Sequence, residues 1–304
     1  MNFPNILTKG DTVGIIAPSS PVTKEEADLC KDLVENMGYK VKMGKTVYRS
    51  THGYSAGTGQ EKADDLHQMF ANQEVKAIWC IRGGDTSSHM VDKIDYELIR
   101  KHPKIFVGYS DVTNLHVNFN QKCNLVTFHG PMVKSNMLHD FDGFTKQSFE
   151  AALAMKNELL LENPEGVDFQ VMVEGHAEGT IVGGNLALLT SMIGTPYEMD
   201  TKGKILFIED IGESVRRLDR MMHQLKYSNK LQDAAGFIVG DFADCHNAVD
   251  ENYTVIEMLK DILADYKKPV MYNIQSGHCF PMSTIPFGVT CTMDTRSKSI
   301  KFTR

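Results

Sequence analysis

Short unbroken apolar runs alternate with helically spaced ones through the first half of the chain. TVGIIAP (12–18) reads as a buried strand, followed by a helix over about 24–37. YKVKMG (39–44) is a second, more amphipathic strand, and residues 59–72 place Leu66, Met69 and Phe70 on one helical face. KAIWCIRGG (76–84), KIFVGYSD (104–111) and LVTFHGP (125–131) each carry an apolar run into a turn. Continuous apolar strands alternating with helices imply a parallel sheet covered on both faces. In such sheets binding residues collect at the C-terminal strand ends. Three turns fall there: APSSP, RGGDTSS and GYSD.

From about residue 132 the pattern weakens, with one helix expected over 145–156. A second unit opens at EGTIVGGN, with helices over about 185–193, 214–227 and 252–264. Strands are expected at KILFIED (204–210), AAGFIVGDF (234–242) and PVMYN (269–273), and the C-terminus alternates like an antiparallel hairpin. The expected division is 1–135, a linker or lid-like excursion over 136–174, and a C-terminal α+β or barrel-like domain over 175–304.

Composition narrows the function classes. A net charge of −7 over 304 residues leaves no basic surplus for a nucleic-acid partner. No apolar run is long enough to span a bilayer, and the N-terminus MNFPNILTKGD lacks the basic and apolar regions of a secretory signal. The expectation is a cytoplasmic protein with no membrane partner. Six scattered cysteines without a C-x-x-C pair, and no H-x-x-x-H or G-x-x-x-x-G-K-[ST], argue against a disulfide framework, a metal site or a phosphate loop.

Chemistry centres on Ser110. A serine between a strand end and a helix start is placed like the nucleophile of a strand–turn–helix elbow. The final glycine of G-x-S-x-G is missing, and taken alone the turn favours a helix cap. The same helix start offers the Asp111 N–H as an oxyanion donor, and the Gly83–Gly84 pair of a neighbouring turn offers a second. His278, in a loop stiffened by Pro281 and Pro286, is the candidate base, with His129 of FHGP its competitor. Glu209 ends an apolar strand where a carboxylate has no structural reason to sit unless paired, whereas Glu213 suits a helix N-terminus. Arg82 and Asp85 are candidate substrate contacts, Arg82 for a carboxylate.

Taken together, GYSD, LFIEDIGE and GHCFPMSTIPFG resemble the LD-carboxypeptidase family of serine peptidases, which includes the microcin C immunity proteases. LTKGDTVGIIAPSSP, TFHGPM and GTIVGGNLALLTSMIGTPY extend the resemblance over nearly the whole chain. It implies a Ser110–His278–Glu209 triad, no metal or other cofactor, and a homodimer. The implied fold is a flavodoxin- or Rossmann-like N-terminal domain with a swivelling C-terminal domain. The substrate it implies is a small peptide, a murein tetrapeptide that loses its terminal D-Ala during cell-wall recycling. The polar Asp85–Ser88 continuation of RGG instead resembles the microcin-immunity branch, which takes aminoacyl or peptidyl nucleotides. A non-catalytic binding protein on the same scaffold, with Ser110 as a cap, is the reading outside this class.

Overall fold

The computed structural model describes all 304 residues. Its first five strands are β1 (Thr12–Ile16), β2 (Lys40–Met43), β3 (Val75–Cys80), β4 (Ile105–Gly108) and β5 (Thr127–His129). They pair in parallel in the order β5-β4-β3-β1-β2. Burial of Ile15, Ile78, Trp79, Phe106 and Val107 on both faces explains their continuous apolar sequence. Helices Lys24–Asn36 and Gly59–Ala71 each begin with a Thr-x-x-Glu capping box, through Thr23/Glu26 and Thr58/Glu61.

The remaining strands are β6 (Glu158–Leu160), β7 (Gln170–Val173), β8 (His176–Asn185), β9 (Ile205–Ile211), β10 (Gly236–Ala243), β11 (Val270–Tyr272), β12 (Ile285–Phe287), β13 (Thr290–Asp294) and β14 (Ser299–Thr303). All but β12 form a second, eight-stranded sheet in the order β6-β14-β13-β8-β9-β10-β11-β7. Strands β8 to β11 are parallel, and β13 and β14 form the expected hairpin. Residues 136–174, expected as an excursion, carry the helix Gly143–Leu153 and the two edge strands β6 and β7.

One feature departs from the expected all-parallel first sheet. Strand β12 returns from the C-terminal half and pairs antiparallel with β5, Ile285 opposite His129. An edge position tolerates Pro286, which cannot donate to a ladder. The return passes just after His278 and ties the two sheets together. One apolar cluster runs from Val13, Trp79 and Phe128 through Phe287 to Phe207 and Met293. No helix is long and apolar enough to cross a membrane.

The glycines of GTIVGGN close the other side of this junction. A side chain at Gly184 would collide with Thr113 Oγ1, and Asn185 donates its N–H to that same oxygen at 3.0 Å. The motif therefore serves the close approach of β8 to the helix Thr113–Cys123 that follows Ser110.

Candidate active site

Strands β1, β3 and β4 are neighbours in the sheet, so the APSS, RGGD and GYSD turns meet at one edge. Ser110 follows the end of β4 and has φ 63°, a left-handed conformation that costs a non-glycine residue roughly 1–2 kcal/mol. A helix cap takes extended backbone angles and bonds the first turn with its side chain. Ser110 does neither: the short helical turn Ser110–Val112 and the helix behind it have no side-chain cap bond. The conformation leaves the hydroxyl half-exposed, without a hydrogen bond to the protein. Backbone strain of this kind clusters at functional sites.

The RGG turn is fitted around this serine. A methyl at Gly83 would sit 2.9 Å from both Ser110 Cβ and Oγ, so only glycine leaves the hydroxyl free. Gly84, at φ 144°, lies against Ser19 and Ser20 instead. The Gly83 carbonyl accepts from the Ser20 N–H at 3.3 Å. Because the peptide is trans and planar, the Gly84 N–H points the opposite way, away from Ser20, and has no partner in the protein.

His278 and Glu209 meet from separate parts of the second half. Glu209 is fully buried on β9, and its Oε2 accepts from His278 Nδ1 at 2.7 Å. Gly277, at φ 124°, makes room for the carboxylate, since a Cβ there would be 2.8 Å from Glu209 Oε2. The imidazole is itself largely buried and rests edge-on against the Tyr109 ring, centroids 4.9 Å apart. Tyr109 precedes Ser110, so the imidazole is seated on the same turn that raises the serine. Burial alone lowers the His278 pKa, but the charge and hydrogen bond of Glu209, with the charges of Asp210 and Asp241, hold it above the ordinary 6.5. With Nδ1 bound to a carboxylate, the proton sits there and Nε2 is left as the acceptor.

The competing residues take other places. His129 is wholly buried among Tyr109, Phe207 and Phe287, and burial drives its pKa well down. It is a packing residue where the two sheets meet. Asp210 accepts from Asn185 Nδ2 and the Ala187 N–H, tying β9 to the helix Leu186–Ser191. Glu213 pairs with Arg217 at 3.0 Å. Arg82 donates to the Pro21 carbonyl at 3.3 Å, and Asp85 is exposed.

Two parts of the site escaped sequence reasoning. The Asp111 carboxylate is completely buried, accepting from Ser19 Oγ, from the Ser87 N–H at 2.7 Å and from Ser87 Oγ at 3.0 Å. Burial raises its pKa, and these donors oppose that. Lys62 is buried too, its Nζ 2.6 Å from the Thr86 carbonyl and 2.9 Å from Thr86 Oγ1. A signal for Lys62 was present: it lies four residues before Leu66, on the apolar face of its helix.

A strained serine at a strand end, backed by an imidazole–carboxylate pair and a glycine turn, gives the layout of a serine-type hydrolase. Residues 13–130 match the LD-carboxypeptidase N-terminal domain, and residues 178–293 match the LD-carboxypeptidase C-terminal domain. The chain belongs to the LD-carboxypeptidase family and is a serine-type peptidase by that membership. It is 44% identical over 298 residues to a "Probable murein peptide carboxypeptidase" of Bacillus subtilis (strain 168), covering 97% of this chain and 92% of that protein. The structure of MccF in complex with glutamyl sulfamoyl guanosine superposes with a TM-score of 0.92 at 26% identity, over 99% of this chain and 98% of that one. A muramoyltetrapeptide carboxypeptidase from Oxalobacter formigenes gives 0.83 at 27% identity, over 96% and 97%.

Proposed function

We propose that the protein is a cytoplasmic carboxypeptidase that removes terminal D-Ala from murein tetrapeptides, using Ser110, His278 and Glu209. The observation that carries the chemistry is the 2.7 Å contact between a fully buried Glu209 and His278 Nδ1. It fixes the tautomer that a general base for Ser110 requires. Ser110 Oγ attacks the carbonyl carbon of the L-residue while His278 Nε2 takes the hydroxyl proton. The N–H groups of Asp111 and Gly84 receive the oxyanion. The C–N bond then breaks, and His278 hands its proton to the departing D-Ala amine. Water, deprotonated by the same nitrogen, releases the peptide acid and restores Ser110.

The murein substrate is supported by the 44% identity to the Bacillus subtilis relative. The higher TM-score to MccF favours an aminoacyl-nucleotide substrate as the second reading. The polar continuation of RGG, which resembles that second branch, has a structural reason here: Thr86 and Ser87 point inward to Lys62 and Asp111. Incubation with a murein tetrapeptide and, separately, with an aminoacyl sulfamoyl adenosine divides the two. D-Ala release from the tetrapeptide alone is expected; amino-acid release from the nucleotide alone would reverse the assignment.

The pH profile follows from the His278 environment. The base works neutral, so kcat/KM rises as pH passes its pKa, and this rise is expected above pH 6.5 because the folded pKa is raised. Replacing Glu209 by Gln removes the main opposing charge and leaves burial, moving the rise to lower pH. A wild-type limb centred below 6.5 would contradict this.

A further inference from the structure

The network behind the RGG turn has a specific geometry. The Thr86 carbonyl and the Ser87 N–H are the two ends of one peptide unit. The carbonyl accepts from Lys62 Nζ at 2.6 Å, and the N–H donates to Asp111 Oδ2 at 2.7 Å. A buried cation and a buried anion thus hold one peptide at its negative and positive poles. Hydroxyls close the ring: Thr86 Oγ1 donates to the Ser19 carbonyl at 3.0 Å, and Ser19 Oγ donates to the Asp111 carboxylate. Lys62 makes a third, longer contact to Ser55 Oγ at 3.4 Å.

The ends of this clamp carry the two amides assigned above to the oxyanion. Asp111 supplies one through its own N–H, and Gly84 lies two residues before Thr86. We infer that Lys62 is a positioning residue of the oxyanion hole: with Asp111 it grips the Thr86–Ser87 peptide and so fixes the Gly84 N–H relative to the Asp111 N–H. The inference rests on the Ser110 triad proposed above. Lys62 lies in the helix Gly59–Ala71, whose first residue also meets this loop; a side chain at Gly59 would collide with the His89 carbonyl. Helix and loop are therefore in direct contact at Gly59 as well as at Lys62. Burial lowers the Lys62 pKa to about 8, with the Asp111 charge opposing the shift.

A loose oxyanion hole weakens transition-state binding and leaves substrate binding alone. The test uses Lys62→Met in the full chain, with a tetrapeptide substrate and a peptide boronic acid whose tetrahedral adduct on serine occupies the same hole. For the folded variant, kcat is expected to fall about 10–100-fold, boronate affinity by the same factor, and KM by less than about threefold. Lys62→Gln keeps a donor to Thr86 without the charge, and its kcat is expected between the two. It also carries the comparison if the methionine variant fails to fold. A purely structural lysine would lower thermal stability while leaving kcat per folded molecule and boronate affinity within twofold of wild type. That result, or a loss confined to KM, overturns the inference. Boronate binding to wild type that is no tighter than to Ser110→Ala instead overturns the triad reading beneath it.

Discussion

Ser110→Ala lowers kcat by about 10⁶-fold while leaving the thermal midpoint within a few degrees of wild type. The magnitude is that seen when a serine hydrolase loses its nucleophile and keeps only binding and oxyanion stabilisation. The stability half of the prediction comes from the site itself. Ser110 Oγ makes no hydrogen bond within the protein, and its turn is held by Gly108, Tyr109 and the buried Asp111 carboxylate. Removing one half-exposed hydroxyl should therefore alter folding by about 0.5 kcal/mol or less. Steady-state assay and thermal melting of the same preparation measure both. Retained activity would sink the triad; lost activity with a collapsed midpoint would show that the serine is structural.

Glu209→Gln is the second large effect, a drop in kcat of about 10³–10⁴-fold with KM little changed. The effect comes from the tautomer of His278. A carboxylate can only accept, so it holds the imidazole proton on Nδ1 and leaves Nε2 to take the Ser110 proton. An amide in the same place can turn its NH₂ toward Nδ1 and draw the proton to Nε2, where it disables the base. Stability should move the other way or not at all. Glu209 is fully buried, one of its oxygens has no partner, and the imidazole is its only side-chain contact of opposite sign. Neutralising such a group removes a desolvation cost of the kind that makes buried ion pairs weak stabilisers. Activity lost alongside an unchanged or raised midpoint supports the assignment. A kcat within tenfold of wild type would refute it.

How much of this was legible in the chain varies with sequence distance. The strand–turn–helix units of the first half were readable because each strand is buried on both faces and so uninterrupted in sequence. Strand ends then placed Ser110 and the Gly83–Gly84 turn in plausible positions, while Glu209 sits two residues before the end of β9. The backbone of Ser110 was not readable: GYSD taken alone favours a cap over an elbow, and only φ separates them. Strand β12 was hidden because three residues with a central proline carry no strand pattern of their own. They join the first sheet only because β5 presents an open edge. The Lys62–Asp111 clamp was hidden for another reason. Its hydrogen bonds connect three turns and a helix far apart in the chain, and each residue alone reads as an ordinary helix-face or loop polar group. Asp85–Ser88 reads in sequence as a substrate signal, and in the structure two of those polar residues, Thr86 and Ser87, serve the clamp.

The central claim, that Ser110 is made nucleophilic by His278 and Glu209, is tested most directly by covalent labelling. Wild type is treated with a fluorophosphonate at pH 8 and the modified peptide located by mass spectrometry, beside His278→Ala. One phosphonyl group is expected on wild-type Ser110, and little or none on the histidine variant in the same time. A label on another residue, or equal labelling of Ser110 without His278, would contradict it.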